Sequence, residues 1–354
     1  MLQNKFSEIL KSKSDAVIIT SPENRRYFTG FNSSDGFLVI TKDESVFFTD
    51  SRYIEAAENQ ITACKSLLLK RVNETIAPYL KEKGIKNIIL ETERLTVAEL
   101  NNLKKAFDFC IVEANEDLDE IINNLRAVKT SEEIENIKKA QKIAEDAFNH
   151  ILKFIKVGVT EKEIALELDF YMLSHGAEAV SFETIAVSGK NSSMPHGVPT
   201  DKKVEKGDFI TMDFGAMYNG YHSDMTRTVI VGEPSEKQRE VYETVLKAQK
   251  ASLAVLKNGI TGVNADKAAR DIIDNAGYKD NFGHGTGHGV GIEIHESPNL
   301  SPYSKATLET GNVVTVEPGI YIPNEFGVRI EDMALITEDG CINLTNCEKE
   351  LIIL

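Results

Sequence analysis

Residues 156–177, KVGVTEKEIALELDFYMLSHGA, and residues 257–278, KNGITGVNADKAARDIIDNAGY, are two versions of one pattern. Each runs Lys, Gly two positions on, a β-branched residue, Thr, an amphipathic helical stretch and a closing Gly. Gly158 and Gly259, Thr160 and Thr261, and Gly176 and Gly277 are all 101 residues apart, one offset that three independent landmarks would not share by chance. A strand-rich block follows each copy: DFITMDFGAMYNGYHSDMTRTVIV after the first and NVVTVEPGIYIPNEFGVRIEDMALI after the second. A duplicated unit of two helices and a strand pair predicts two pseudo-symmetric halves facing each other across a cleft, where they can share one site.

The repeat occupies only part of the chain, whose 354 residues exceed the size of a single hydrophobic core. From residue 15 to 126 the apolar runs AVIIT, GFLVI, VFFTD, NIILE and FCIVEA alternate with helical patterns, which predicts an α/β domain. RAVKTSEEIENIKKAQKIAEDAFNHILKFI then opens a long amphipathic helix, with Thr130 or Ser131 as N-cap and Glu132 or Glu133 in its first turn. The expected domains are therefore 1–126 and 127–354.

A net charge of −15 sets the chain against nucleic acid and anionic membrane surfaces, since both would repel it. No apolar run reaches signal-peptide or membrane-spanning length, so the expectation is a cytoplasmic protein. Cys64, Cys110, Cys341 and Cys347 form no CxxC pair and read as reduced, mostly buried thiols.

Candidate chemistry sits in the strand blocks. Asn219-Gly220 is a strong two-residue hairpin signal. It would pair Tyr218 with Tyr221 and set Asp213 opposite Thr226, with Asp224 diagonal to Asp213 on the same face. In the second block Glu317 ends an almost wholly apolar strand, and Glu331 is expected inside another. Isolated buried carboxylates are costly, and acids recurring in both halves suggest cations. Four carboxylates carry four negative charges, which two divalent ions would neutralise, and one imidazole would complete the set. Ligation rich in oxygen favours Mn²⁺, with Co²⁺ and Zn²⁺ able to use similar ligands.

GHGTGHGVGIEIHE, residues 283–296, is the natural source of that imidazole. Its HGTGH lacks the glutamate of HExxH, and its glycines match neither GxGxxG nor the phosphate-loop pattern.

Taken with TVEPGIY, GVRIED and SSMPHG, these residues resemble the proline-specific branch of the pita-bread metallopeptidases, peptidase family M24B, which includes aminopeptidase P and prolidase. NRRYFTGF at 24–31 and FTDSRY at 48–53 resemble its creatinase-type N-terminal domain. The resemblance implies a two-domain α/β chain: a creatinase-like α/β domain followed by a pseudo-symmetric α+β pita-bread domain. It implies Asp213 on one metal ion, His288 and Glu317 on the other, and Asp224 and Glu331 bridging both. It gives catalytic parts to His196, His295 and Glu331, and substrate contacts to His284, His196, His295 and Arg329, with His284 lining the proline pocket. Arg329, two positions before Glu331, could also steady that carboxylate, and Thr226 could do the same for the site. Tyr321 is a cleft candidate, while His150, His175 and His222 read as structural.

The implied activity is dinuclear metal-dependent hydrolysis of the N-terminal peptide bond preceding proline. An Xaa-Pro aminopeptidase is the first expectation, because the compact chain lacks an evident insertion to close the cleft behind a dipeptide. An Xaa-Pro dipeptidase, prolidase, is the alternative, and a non-catalytic binding module the reading from a different class. Proline-containing peptides are the expected partners, and a homodimer is implied by the resemblance alone.

Overall fold

In the N-terminal unit, six short strands form one mixed sheet: β1 (Ala16–Ile19), β2 (Phe37–Thr41), β3 (Ser45–Thr49), β4 (Lys65–Leu68), β5 (Asn87–Leu90) and β6 (Ile111–Ala114), in the order β4-β3-β2-β1-β5-β6. The structure, a computed structural model, describes residues 2–354. It divides into two compact units, Met1–Arg126 and Ala127–Leu354. Alternation along the strands sorts the first unit's core onto two faces. Val17, Ile19, Leu38, Ile40 and Phe47 pack with Phe6, Phe28, Leu118 and Ile122. Ala16, Ile18, Val39, Val46 and Phe48 pack with Ile76, Leu80, Leu103 and Phe107 on the other side.

The NRRYFTGF stretch has an architectural part here. It forms most of the helix Pro22–Thr29, which Gly30 ends in a left-handed conformation at φ 70°. Fully buried Glu91 accepts hydrogen bonds from the Ser21 hydroxyl at 2.6 Å and the Asn24 side chain at 2.7 Å. Arg25 donates to the carbonyls of Ser33 and Gly36, both at 2.8 Å.

The second unit displays the duplication directly. Each half opens with a long helix, Ser131–Phe154 or Glu236–Val255, followed by a shorter one, Glu161–Ser174 or Gly262–Asn275. Thr130 and Thr160 cap their helices in reciprocal boxes with Glu133 and Glu163. Thr261 holds the matching position in the second half without a side-chain capping bond. Gly158 and Gly259 both have positive φ, 93° and 82°, and both donate to a segment distant in sequence, to Val204 O at 2.9 Å and Leu308 O at 2.8 Å, each next to an isolated bridge made by Thr160 or Thr261.

The strands of the first half are β7 (Ala179–Val180), β8 (Ile185–Ser188), β9 (Phe209–Phe214), β10 (Ala216–Tyr218), β11 (Tyr221–His222) and β12 (Met225–Ile230). The second half supplies β13 (Gly287–Gly289), β14 (Glu296–Leu300), β15 (Val313–Val316), β16 (Gly319–Ile322), β17 (Phe326–Arg329), β18 (Asp332–Ile336) and β19 (Cys341–Asn343). Sheets β12-β9-β8 and β14-β13-β15-β18-β19 carry the long helices on their outer faces. The halves are joined where the Glu331 N–H donates to Thr226 O at 3.1 Å and Thr228 Oγ1 donates to Arg329 O at 2.9 Å.

The last residues are part of this fabric. Ile230 N donates to Ile352 O at 3.0 Å, Leu354 N to Ile230 O at 2.8 Å and Gly232 N to Leu354 O at 2.8 Å. Among the described residues, no helix is long and apolar enough to cross a membrane. The four thiols are free and half-buried, less enclosed than their apolar flanks suggest.

Candidate active site

The Asn219-Gly220 turn takes positive φ at both positions, 48° and 83°, as a type I′ hairpin requires. It pairs Tyr218 with Tyr221, and the same register sets Asp213 opposite Thr226. Asp213 lies near the end of β9 and Asp224 just before β12. His288 is the middle residue of β13 and Glu317 directly follows β15. Glu331 differs from expectation: it sits in the link between β17 and β18, not within a strand, because the ladder of β17 ends at Arg329.

These five side chains line one cavity of about 660 Å³, together with His196, His284, His295 and Arg329. Asp224 and Glu331 are buried, at 4% and 1% exposure, while Asp213 and Glu317 keep a partial opening to the cleft. His196 and His295 are exposed at its mouth. His150 and His175 lie elsewhere, stacked against Tyr171 with ring centroids 4.6 and 3.9 Å away.

The carboxylates crowd one another. Burial, reinforced by Glu331, Asp213 and Glu317, holds the Asp224 carboxyl well above the usual range. Burial does the same to Glu331, aided by Glu317 and Asp213. It pushes Glu317 up to about 8, with Arg329 opposing the rise and Asp213 adding to it. Protons or cations must offset this charge at neutral pH.

The histidine beside them is suited to a cation. Burial, then the neighbouring His295, lowers His288 to about 4, so its imidazole is neutral. Its Nδ1 lies 3.0 Å from the Gly289 carbonyl, and donation there leaves the Nε2 lone pair facing Glu317 at 3.4 Å and Asp224 at 3.6 Å. Ligand atoms of Asp224, His288 and Glu331 all lie within 4.8 Å of one another, and Asp213 Oδ1 is buried without a hydrogen-bond partner. This donor set fits divalent metal.

Arg329 holds a different carboxylate from the one proposed by its spacing. Its Nη2 donates to Asp213 at 2.7 Å, Nη1 to the Tyr321 hydroxyl at 2.9 Å and Nε to Thr226 Oγ1 at 3.0 Å. Only through Thr226, whose hydroxyl donates to Glu331 Oε2 at 2.7 Å, does Arg329 reach Glu331. Glu331 lies beyond the end of the β17 ladder, so it does not share a strand face with Arg329, whose guanidinium instead reaches across to β9. Tyr321 also meets His284, whose Nε2 lies 2.9 Å from its hydroxyl, and burial with the charge of Arg329 lowers His284 to about 4.

A second layer went unread in the sequence. Buried Arg227 donates to the carbonyls of Thr226 at 3.0 Å and Glu331 at 2.6 Å, and to the Asp332 carboxylate at 2.8 Å. It also reaches the carbonyls of Glu348 at 2.8 Å and Cys347 at 3.0 Å. Asp332 in turn accepts from Gln249, Asn343 and Lys349. The signal available was weak: an arginine between two threonines in an otherwise apolar strand.

Comparison with known proteins bears on what such a cleft does. The model of metallopeptidase family M24 matches residues 135–338. The chain belongs to this family. The model of the creatinase/prolidase N-terminal domain matches residues 4–128 of the metallopeptidase. An Xaa-Pro dipeptidase of Pyrococcus furiosus is 41% identical over 96% of this chain and 95% of its own length. Among solved structures, an Xaa-Pro dipeptidase from Bacillus anthracis superposes with a TM-score of 0.94, at 43% identity, covering 100% of this chain and 99% of that one. An X-Pro aminopeptidase from Thermotoga maritima gives 0.91 at 38% identity, covering 96% and 98%. The protein is a metallo-exopeptidase with the creatinase-type N-terminal domain and pita-bread fold expected of its sequence.

Proposed function

We propose that this metallopeptidase is an Xaa-Pro dipeptidase, cutting the bond between an N-terminal residue and a C-terminal proline. One observation carries the reading: four carboxylates and a neutral imidazole, drawn from both halves of the repeat, converge on one cavity of about 660 Å³. The first expectation, an aminopeptidase, rested on compactness, and that argument fails. The Bacillus anthracis dipeptidase is matched over 99% of its own chain, so a dipeptidase needs no extra insertion. Identity of 43% to it, against 38% to the Thermotoga aminopeptidase, favours the dipeptidase.

In this reading Asp213, Asp224, His288, Glu317 and Glu331 hold two divalent ions, Mn²⁺ being the ion an oxygen-rich set prefers. When bound, such ions neutralise the carboxylates and lower the pKa of water, which supplies the nucleophile. The remaining work belongs to the chain. His284, backed by the Tyr321 hydroxyl, walls the pocket for the proline ring, and Arg329 aims Asp213. His295 and His196 donate to the carbonyl oxygen of the scissile bond and pass a proton toward the leaving nitrogen.

An Ala-Pro dipeptide assayed beside Ala-Pro-Ala tests the specificity. The dipeptide is expected to be hydrolysed with kcat/KM at least about tenfold higher, within the range a pocket can discriminate. Faster cleavage of the tripeptide would return the assignment to an aminopeptidase.

The hydroxyl of Thr226 gives a second test, because it joins Arg329 to Glu331. Thr226→Val keeps the shape and removes the link. It is expected to weaken metal binding or kcat/KM by about 10–100-fold, read by titrating Mn²⁺ into chelated protein. Unchanged affinity and unchanged rate together would show that the link is idle.

A further inference from the structure

His295 projects from a turn whose underside is a buried ion pair. Glu296 opens β14, and its side chain folds back beneath residues 291–295. There Oε1 accepts the Glu293 N–H at 3.0 Å, and the carboxylate presses on Gly291, where an added Cβ would fall 2.4 Å from Oε2. Gly291 N donates to Glu293 O at 3.0 Å, and His222 N donates to Gly291 O at 2.9 Å, so the turn is tied on both sides. The ammonium of Lys129 meets Glu296 Oε2 at 3.1 Å, with side-chain exposures of only 1% and 4%.

The base of this support is rigid. Lys129 N donates to Gly311 O at 2.9 Å, and the next residue, Thr130, caps the helix Ser131–Phe154. The His295 imidazole itself makes no hydrogen bond to the described residues; its ring lies 4.3 Å from that of His288. Its placement is therefore inherited from the backbone of the turn.

We infer that the Lys129–Glu296 pair is a positioning device for His295: the carboxylate shapes the turn from within, and the lysine makes that buried carboxylate tolerable. The inference rests on the part given to His295 under the proposed function. Neither side chain lines the substrate cavity, and the Gly289–Glu296 backbone pairing and the His288 contact to Gly289 O do not use the ion pair, so its loss is expected to act on turnover through His295 and to leave metal binding alone.

The test uses the full-length metal-loaded protein. Lys129→Met is expected to lower kcat about 10–100-fold, with metal content unchanged and KM within about twofold. In a His295→Ala background the same substitution is expected to add less than about twofold, since two changes acting through one group do not multiply. In protein loaded with diamagnetic Zn²⁺, the His295 Cε1–Hε1 resonance, assigned by its loss in His295→Ala, is expected to shift in Lys129→Met. Multiplying effects, a fall in metal content or an unmoved resonance would each overturn the inference. A shifted resonance with full activity in His295→Ala would support the positioning and instead refute the catalytic part of His295. If Lys129→Met does not fold, Glu296→Asp, which keeps both charges and shortens the reach, is read by the same criteria.

Discussion

Glu331→Ala is expected to lower kcat/KM for an Xaa-Pro dipeptide by at least about a thousandfold, as the proposed sharing of this carboxylate between two metal ions implies. Glu331 is 1% exposed, meets Asp224 and His288 within 4.8 Å and is aimed by Thr226. No other carboxylate can swing into its place from the strand link it occupies. Bound metal, measured by elemental analysis, is expected to fall with the activity. A stability measurement separates a ligand from a structural acid. In chelated protein the buried Glu331 repels its neighbours, so its removal is expected to leave the melting temperature unchanged or raise it. In the wild type that temperature is expected to rise with added Mn²⁺, by mass action on the folded state, and the variant is expected to lose the rise. Retained metal and retained turnover would remove Glu331 from the site.

Arg227→Met is expected to have the largest effect on stability. Arg227 lies wholly inside the second unit, and its donors serve four carbonyls and the Asp332 carboxylate. The methionine fills the space but leaves those acceptors unserved, with Lys349 as the remaining cation on Asp332. Breaking a buried ion pair in this way costs about 3–5 kcal/mol. At about 2–4 °C per kcal/mol for a unit of this size, the melting temperature falls by roughly 6–20 °C. Arg227→Lys is expected to recover only part of the loss, because one ammonium cannot span acceptors that a planar fork reaches together. A fall of under about 2 °C by calorimetry would mean that Lys349 alone suffices.

The contrast between these two residues marks what could be read before the structure. Asp213, Asp224, Glu317 and Glu331 stood out because carboxylates in or at the ends of apolar strand segments contradict their surroundings, and such contradictions are visible locally. The Asn219-Gly220 turn propagated its register five residues back to Asp213 because side chains alternate strictly along strands. Arg227 and Lys129 gave no such signal. Their partners Asp332 and Glu296 lie 105 and 167 residues away, and no local pattern encodes a distance of that kind. Arg329 was misdirected for the same reason, paired by proximity with Glu331 when its guanidinium closes on Asp213 across 116 residues. In the N-terminal unit β4 escaped notice because Lys65–Leu68 is a short, largely exposed edge strand without apolar alternation.

The weave of residues 347–354 against Arg227 and β12 bears on how the protein is made. A chain leaving the ribosome presents its N-terminal unit first, and that unit can fold while synthesis continues. The second unit has no such freedom. Arg227 waits for the carbonyls of Cys347 and Glu348, and β12 waits for Ile352 and Leu354. The frame around Thr226 and Glu331 therefore closes only once residues 347–354 are present, more than a dozen positions beyond the last of the clustered acids.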